Sequence, residues 1–520
     1  MVEIKSGKVI EPQNELQKED SYDVIVVGGG VAGVAAGMAA GRAGCRTLIV
    51  ETLTALGGLA TLGLVNIPLD FVSGLGKEMF DELIAVNGLW HRNSDPEKHK
   101  LILDRMVKKY GCDILFTTQV VDAIVSGDEI RGVVVQTKTG RRAIEAKRVI
   151  DCSGDSDAAY YAGAETVMCR PGDGMSQACS LEFTLGGVDW DKYNTSDLKK
   201  NDPRWVKLIK EDLASGELTQ EVDNHLNWMT HIPGRPEHCG MDEVSICFAH
   251  SRCCYPIDHH DLTRMYLEGR EQADLLSKYF RKRVPGFGNS YLISTGALLG
   301  VRESRRIIGE YELTASDLAH LRKFDDVICI STHGYDIHNY EGPGNVKWAA
   351  MEINGETQYV ICTPAGFGTT TPPPDGKPVV NVKGKDAETA EFELNGYYDI
   401  PFRSLIPAKL DNLLVAGRNL SSTVEAQSGS RLIMACFTMG EAAGTATAMS
   451  LKKDISPRKL DRLELQATLI NNGVNLGQKM RDIPGLEVTD DTGEFYPNPT
   501  LLRANEEHAR MSRREEYRNV

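Results

Sequence analysis

The chain has 520 residues, 41% hydrophobic and 25% charged, with a net charge of -15. That is an ordinary soluble globular composition, sized for two to four domains at about 150 residues each and able to bury a core without staples. The acidic balance opposes non-specific nucleic-acid binding and disfavours an anionic membrane surface. Residues 1–20 carry no apolar leader, and no run of about 18 apolar residues predicts a membrane span. The 12 cysteines are scattered without a CxxC pair. Such usage fits a reducing, cytoplasmic compartment and argues against a zinc knuckle, an iron–sulfur cluster or a redox dithiol.

Residues 1–20 read as a frayed arm. A β-branched run over 22–27 predicts a buried strand, a glycine-rich turn follows, and 31–42 is a small-residue helix leading to a second strand over 46–50. This is a βαβ unit. A helix is expected over 104–110. Alternating residues over 114–118, 120–125, 130–136 and 142–145 predict a meander of short strands, and 149–152 resumes a buried strand. From about 175 to 400 the texture changes: aromatics, Pro and His rise, and helical and extended pieces mix. The Pro-rich stretch 369–374 reads as a loop. A buried strand returns over 413–416 and a small-residue helix over 431–449. An amphipathic helix is expected over 459–471, and a charged, helix-prone tail from 500.

Dinucleotide-type elements thus appear at the start, near 150 and again over 411–449. The expected fold is α/β: a Rossmann-like dinucleotide-binding domain of discontinuous segments with an inserted α+β substrate or cap domain. The segments are 21–170 (with the meander over about 112–146), 171–400 for the cap, 401–455 for the last part of the first domain, and 456–520 for a helical tail.

Gly28, Gly30 and Gly33 form a GxGxxG between strand and helix. Gly28 permits the tight turn, Gly30 lets backbone approach a pyrophosphate, and Gly33 lets helix and strand pack closely. The helix N-terminus, with Val31 and Ala32, offers N–H groups to the phosphates. Glu51 closes the second strand, where a carboxylate accepts from ribose hydroxyls. Three more pieces favour FAD over NAD. Gly57 and Gly58, followed by Leu59, Ala60 and Thr61, let the chain pass beside a flavin. Ser153, Gly154 and Asp155 make a small turn after a buried strand. Gly417 and Arg418 precede a helix opening near Arg431 and Leu432, whose N-terminus can face the flavin pyrimidine oxygen. Val121, in the meander, completes the expected cofactor contacts.

The chain resembles the FAD-dependent oxidoreductases related to succinate dehydrogenase and fumarate reductase flavoproteins, and within them a bacterial branch. The resemblance rests on VVGGGVAGVAAGMAAGRAG, GGLAT, DCSGDSDAA, GVRESRRIIGEYELT, YDIH, YDIPFRSLIP, NLLVAGRNLSS and SRLIMACFTMGEAAGTATA. It implies FAD contacts at Gly28, Gly30, Gly33, Glu51, Gly58, Gly154, Asp155, Gly417 and Arg431. No His lies between Glu51 and Gly57, where the succinate dehydrogenase relatives attach flavin covalently, so non-covalent FAD is expected. No second GxGxxG follows a strand, so no built-in NAD(P)H domain is expected. The electron partner is then the substrate itself, a free acceptor or a separate protein.

Four residues are candidates for the chemistry. Arg302, Arg305 and Arg306 read as one helix-like run, with Arg302 and Arg306 on a shared face. Arg302 is the better candidate to clamp a carboxylate or polarise a carbonyl; the plain alternative is pairing with Glu303 and Glu310. Asp336 and His338 share a face if extended, and Asp336 can orient the imidazole. Arg403 either lines the flavin site or ties the cap to the cofactor domain. His259, His260 and Asp261 do not have metal-ligand spacing, and no metal is expected. Cys253 and Cys254 read as buried packing. The expected function is FAD-dependent hydride transfer between flavin N5 and a small polar CH–OH or CH–CH substrate. The alternative is an electron-transfer flavoprotein subunit working with a separate redox partner. Homo-oligomerisation stays open.

Overall fold

The computed structural model describes residues 3–477 except 6–7, 11–14, 91, 221, 234–241, 320, 347, 354–355, 364–365, 371–378 and 383–396. Its centre is the strand Gln17–Val27. Val24 and Val26 face one apolar core and Ile25 and Val27 the other, as alternation in a doubly covered strand requires. Thr47–Val50 and Asp113–Leu115 extend the sheet in parallel on one side. On the other side lies Gly140–Asp151, also parallel.

That last strand is shared. Residues 140–145 pair antiparallel with Glu129–Thr137, while 149–151 pair in parallel with Leu413–Val415. The two strands expected over 142–145 and 149–152 are therefore one, paired with Gln17–Val27 from Arg142 to Asp151 across a bulge between Ala143 and Glu145. The same pairing corrects the frayed arm expected over 1–20. Arg142 and Ala143 give Gln17 and Lys18 an edge to join, and Glu3–Lys5 pairs with Lys8–Ile10. The five parallel strands end at Val27, Val50, Leu115, Asp151 and Val415. In open α/β sheets this carboxyl edge is where ligands bind.

Two helices of small residues cover one face. Val31–Arg42 packs on Ile433–Lys453 at backbone contact. A Cβ on Gly440 would lie 2.0 Å from the Ala32 carbonyl oxygen, and one on Gly444 2.2 Å from that of Ala36. The helix expected from 431 starts at Ile433, because Val424–Ser430 forms its own helix with Arg431 as C-cap. The helix expected over 104–110 is longer, Pro96–Lys109, because Asp95 caps it through the Glu97 and Lys98 amides. Among the described residues no single helix is long and apolar enough to cross a membrane. The bent pair Val424–Ser430 and Ile433–Lys453, meeting at 92°, matches in apolar length but lies buried in the core.

The cap is α+β. Its antiparallel sheet runs Trp228–His231, Asp242–Cys247, Phe183–Val188, Tyr291–Thr295. Beside it lies the helix His259–Arg283, with Trp205, Phe248, Phe280 and Phe287 in a separate aromatic core. A second sheet joins Trp348–Ile353, Glu356–Thr363, Gly366–Thr370 and Val379–Val382. Thr369 and Thr370 thus end a strand; the rest of the loop expected over 369–374 lies outside the described residues, as does the tail from 500. The amphipathic helix is Arg462–Asn471.

Candidate functional site

The glycine turn sits at the carboxyl edge of the sheet. Gly28 has φ +95°, and a Cβ there would lie 2.5 Å from the Cys152 carbonyl oxygen. A Cβ on Gly33 would lie 1.8 Å from the Gly28 oxygen. At Gly30 a Cβ would meet nothing within 4 Å, so open space adjoins the turn at this position. Gly30 is also the N-cap of Val31–Arg42, with no side-chain cap and no acid in the first turn. The first-turn amides near Val31 and Ala32 are left for an anion. This is the environment a dinucleotide diphosphate requires.

Glu51 is fixed beside it. Its Oε2 accepts from the Gly29 amide at 2.6 Å and its Oε1 from the Leu53 amide at 2.7 Å. Burial pushes this carboxyl up, and the backbone amides oppose the shift. Gly57 pairs with Gly30 and donates to the Gly29 oxygen at 2.8 Å. Gly57 and Gly58 have φ of +94° and +52°, which lets this second turn lie on the first. Leu59 and Ala60 continue it as a short 3-10 turn. Thr61 turns inward, its hydroxyl donating to the Leu56 oxygen at 2.6 Å.

The late segments close on the same edge. Arg418 Nε donates to the Gly154 oxygen at 2.8 Å, and its Nη atoms reach Asp155 and the Val301 oxygen. Ser153 donates to the Asp151 carboxylate. A Cβ on Gly417 would lie 3.3 Å from the Ala32 Cβ. Val121 falls at a bulge in Gln119–Ser126, which two strands, Gly140–Asp151 and Glu129–Thr137, separate from the strand leading into the glycine turn.

Next to this cradle lies a cavity of about 420 Å³. Leu59, Val301, Leu432 and Ile433 are among its apolar lining residues; Glu182, Arg204, Arg302, His333, Asp336, His338 and Arg431 are among its polar groups. Leu432 is the N-cap of the last core helix and has no side-chain cap, so a helix N-terminus is directed to the cavity.

Arg302, Asp336 and His338, three of the candidates for the chemistry, line this same cavity. His338 Nε2 lies 3.5 Å from Asp336 Oδ1. Arg431 donates to the Asp336 backbone oxygen at 2.9 Å. Arg302 donates to the Ala178 oxygen and lies 3.3 Å from His250 Nε2. Burial and the neighbouring Arg302 push the His338 imidazole down to about 4. Burial likewise holds His250 well below the usual imidazole range, against the pull of Asp223.

Two expectations are corrected, and of the two readings of Arg403 its contacts match the tie. Arg302, Arg305 and Arg306 are not on a helix. Arg305–Ile307 is a strand paired with Thr166–Met168, so successive side chains diverge. Arg305 turns to the Asp155 oxygen and Asp157, and Arg306 to the Ser422 and Cys169 oxygens. Arg403 lines no part of the cavity; it grips Asp326 through Nε and Nη2, each at 2.9 Å. Only Cys254 of the cysteine couple is buried; Cys253 is exposed. His259 and His260 open a surface helix turn, and no metal-ligand cluster occurs among the described residues.

Sequence reasoning missed Glu182, Arg204, His250 and Asp223. One signal was present. Apolar Cys179, Leu181, Phe183 and Leu185 alternate with Ser180, Glu182 and Thr184, which sets a carboxyl on a polar face of an otherwise buried segment.

The family model described as FAD dependent oxidoreductase matches residues 23–469. The chain is similar to the thiamine thiazole synthase of Aeropyrum pernix, 33% identical over 126 residues, which cover 24% of this chain and 46% of that protein. It is also similar to the digeranylgeranylglycerophospholipid reductase of Methanoculleus marisnigri, 25% identical over 220 residues, or 36% of this chain and 53% of that one. The chain spans about half the length of the curated relatives it matches. Among solved structures, a geranylgeranyl bacteriochlorophyll reductase-like protein from Thermoplasma acidophilum aligns over 94% of this chain and 96% of that one, at 13% identity and a TM-score of 0.39.

Proposed function

The chain belongs to the FAD-dependent oxidoreductase family, and from that premise we propose that it holds FAD non-covalently and catalyses hydride exchange between flavin N5 and a small polar organic substrate. The substrate class is a CH–OH or CH–CH donor, or the matching acceptor. The finer kinship with succinate dehydrogenase and fumarate reductase flavoproteins belongs to the same proposal and rests on the motifs quoted above. So does a reducing, cytoplasmic setting, which the free cysteines support.

One observation carries the reading: a single cavity is lined both by FAD-cradle segments, through Leu59, Arg431, Leu432 and Ile433, and by charged groups from elsewhere, among them Glu182, Arg204, Arg302 and Asp336. When bound, FAD supplies two-electron chemistry at N5. The chain's own residues do the rest. Gly30, Val31 and Ala32 present amides to the diphosphate, and Glu51 accepts from the ribose. Leu59, Val301, Leu432 and Ile433 exclude water from the reacting face. Arg302 and His338 orient the polar end of the substrate, and Arg431 with Asp336 holds His338 in place.

The test is anaerobic bleaching of the bound flavin by a panel of small alcohols, sugars and unsaturated acids, the last against pre-reduced enzyme. Rapid reaction with at least one member is expected. No reaction with any, alongside rapid bleaching by a redox protein, replaces this reading with the electron-transfer subunit.

A further inference from the structure

We propose that Glu182 is the proton carrier of this site, giving the proton that accompanies hydride transfer to the substrate and taking it back in the reverse direction. The proposal rests on the oxidoreductase reading above.

Glu182 follows the short strand Cys179–Ser180 and precedes Phe183–Val188. Its neighbours Leu181 and Phe183 are sealed in two separate apolar cores. Glu182 and Ser180 instead line the cavity. The side chain is 2% exposed, and Ser180 donates to its Oε1 at 2.8 Å. Its Oε2 is buried without a hydrogen-bond partner, and the Cys247 thiol interacts with the carboxyl besides Ser180 and Arg302. A buried polar atom is ordinarily satisfied, so this one is left for something that enters the cavity. Gly300 keeps that approach open, since a Cβ there would lie 3.3 Å from Oε2 and 2.8 Å from Ser180 Oγ.

The groups facing Glu182 favour an acid. Burial pushes its carboxyl up, while Arg302, Ser180 and Cys247 oppose the shift. Burial thus disfavours the anion, and the anion formed on proton loss has Arg302 and the Ser180 hydroxyl beside it. Its rivals are less suited. A guanidinium does not give up its proton. Burial holds His250 and His338 neutral, and it pushes the Cys247 thiol well above its usual range. Asp336 is bound to Arg431 and His338.

The step balances. In the reducing direction one end of a C=C or C=O bond takes a hydride, with both electrons, from reduced flavin. The other end takes the Glu182 proton, forming a C–H or O–H bond, and Glu182 remains as carboxylate. Oxidation reverses each transfer.

Glu182→Gln and Glu182→Asp, both loaded with FAD, test this in two ways. In the first, infrared difference spectra are recorded on reduction with dithionite. A carboxylic-acid carbonyl band sensitive to deuterium oxide is expected in the wild type, shifted in Glu182→Asp and lost in Glu182→Gln. In the second, single-turnover reaction with a panel substrate should slow about 100-fold or more in Glu182→Gln, the scale of a lost general acid. Glu182→Asp should recover part of that loss. A wild type that reacts while Glu182→Gln reacts equally fast overturns the proposal and leaves the oxidoreductase reading intact. A wild type that no panel substrate touches overturns that reading instead, and the infrared band then decides on Glu182 alone: identical spectra in wild type and Glu182→Gln overturn the assignment.

Discussion

The imidazole rings of His250 and His338 stack with centroids 5.2 Å apart and planes 26° from parallel. Asp223 lies 3.5 Å from His250 Nδ1, and Asp336 lies 3.5 Å from His338 Nε2, one carboxylate beside each ring. Arg302 adds a fixed positive charge 3.3 Å from His250. Two stacked imidazolium rings beside a guanidinium would repel at close range in a desolvated place. The pair is therefore a neutral, hydrogen-bonding platform, and proton delivery falls to another group.

A stability measurement follows from that neutrality. A free imidazole gains its proton near pH 6.5, whereas folded His338 does so near 4. Between those values the unfolded chain binds more protons at this position than the folded chain, so acidification favours unfolding. The stability of the wild type minus that of His338→Gln is constant above pH 6.5 and falls as pH drops from 6.5 to about 4. Urea melts at stepped pH measure it. A gap unchanged across this window shows an imidazole that titrates as freely folded as unfolded.

Arg302→Ala and His338→Ala should slow flavin reduction by the substrate while leaving FAD bound. Both side chains line the cavity, and neither belongs to the glycine cradle. Loss of one positioned hydrogen bond to a charged group is worth about 1.5–3 kcal/mol, or roughly 10- to 150-fold in rate if it acts in the transition state. Visible spectra give FAD content, and stopped-flow bleaching gives the rate. Colourless variants would assign both residues to the scaffold.

Gly33→Ala should abolish FAD binding. The added methyl would lie 1.8 Å from the Gly28 oxygen, which is backbone and cannot turn aside. The helix Val31–Arg42 must then lift from the strand, and its first-turn amides leave the diphosphate position. A destabilisation of about 1–3 kcal/mol is also expected, because overpacking forces backbone shifts. Gel filtration with absorbance at the flavin bands checks both.

The cofactor end of the molecule was legible because its requirements are local and exclusive. A φ of +95° at Gly28 and backbone contact at Gly33 admit glycine and little else. The lining of the neighbouring cavity was legible only in part. Arg302, Asp336 and His338 stood in distinctive text, but Glu182, Asp223 and His250 reach the same place through pairings distant in the chain. The arginine run shows the difficulty. Spacing of three and four suggests a helix face, yet Thr166–Met168 captures Arg305–Ile307 as a strand, and periodicity within the run carries no trace of that partner. Long-range pairing also explains the single strand Gly140–Asp151, which alternation alone divides in two.

Arg403 separates scaffold from chemistry. Its guanidinium is bidentate on Asp326, a carboxylate only 3% exposed that also accepts from the Arg403 amide at 3.0 Å. The pair fastens the segment after Tyr398–Pro401 to the start of Val327–Ser331, its partner strand. Arg403→Ala leaves Asp326 with a backbone donor but without its counter-charge. The expected cost is about 1–3 kcal/mol, that of an under-satisfied buried polar group. The cavity loses no lining residue, so FAD content and the rate of bleaching at saturating substrate should match the wild type at a temperature where both are folded. A lower denaturation midpoint with an unchanged bleaching rate is the outcome this geometry requires. A folded, FAD-loaded Arg403→Ala that bleaches many-fold more slowly would place the arginine in the reaction after all.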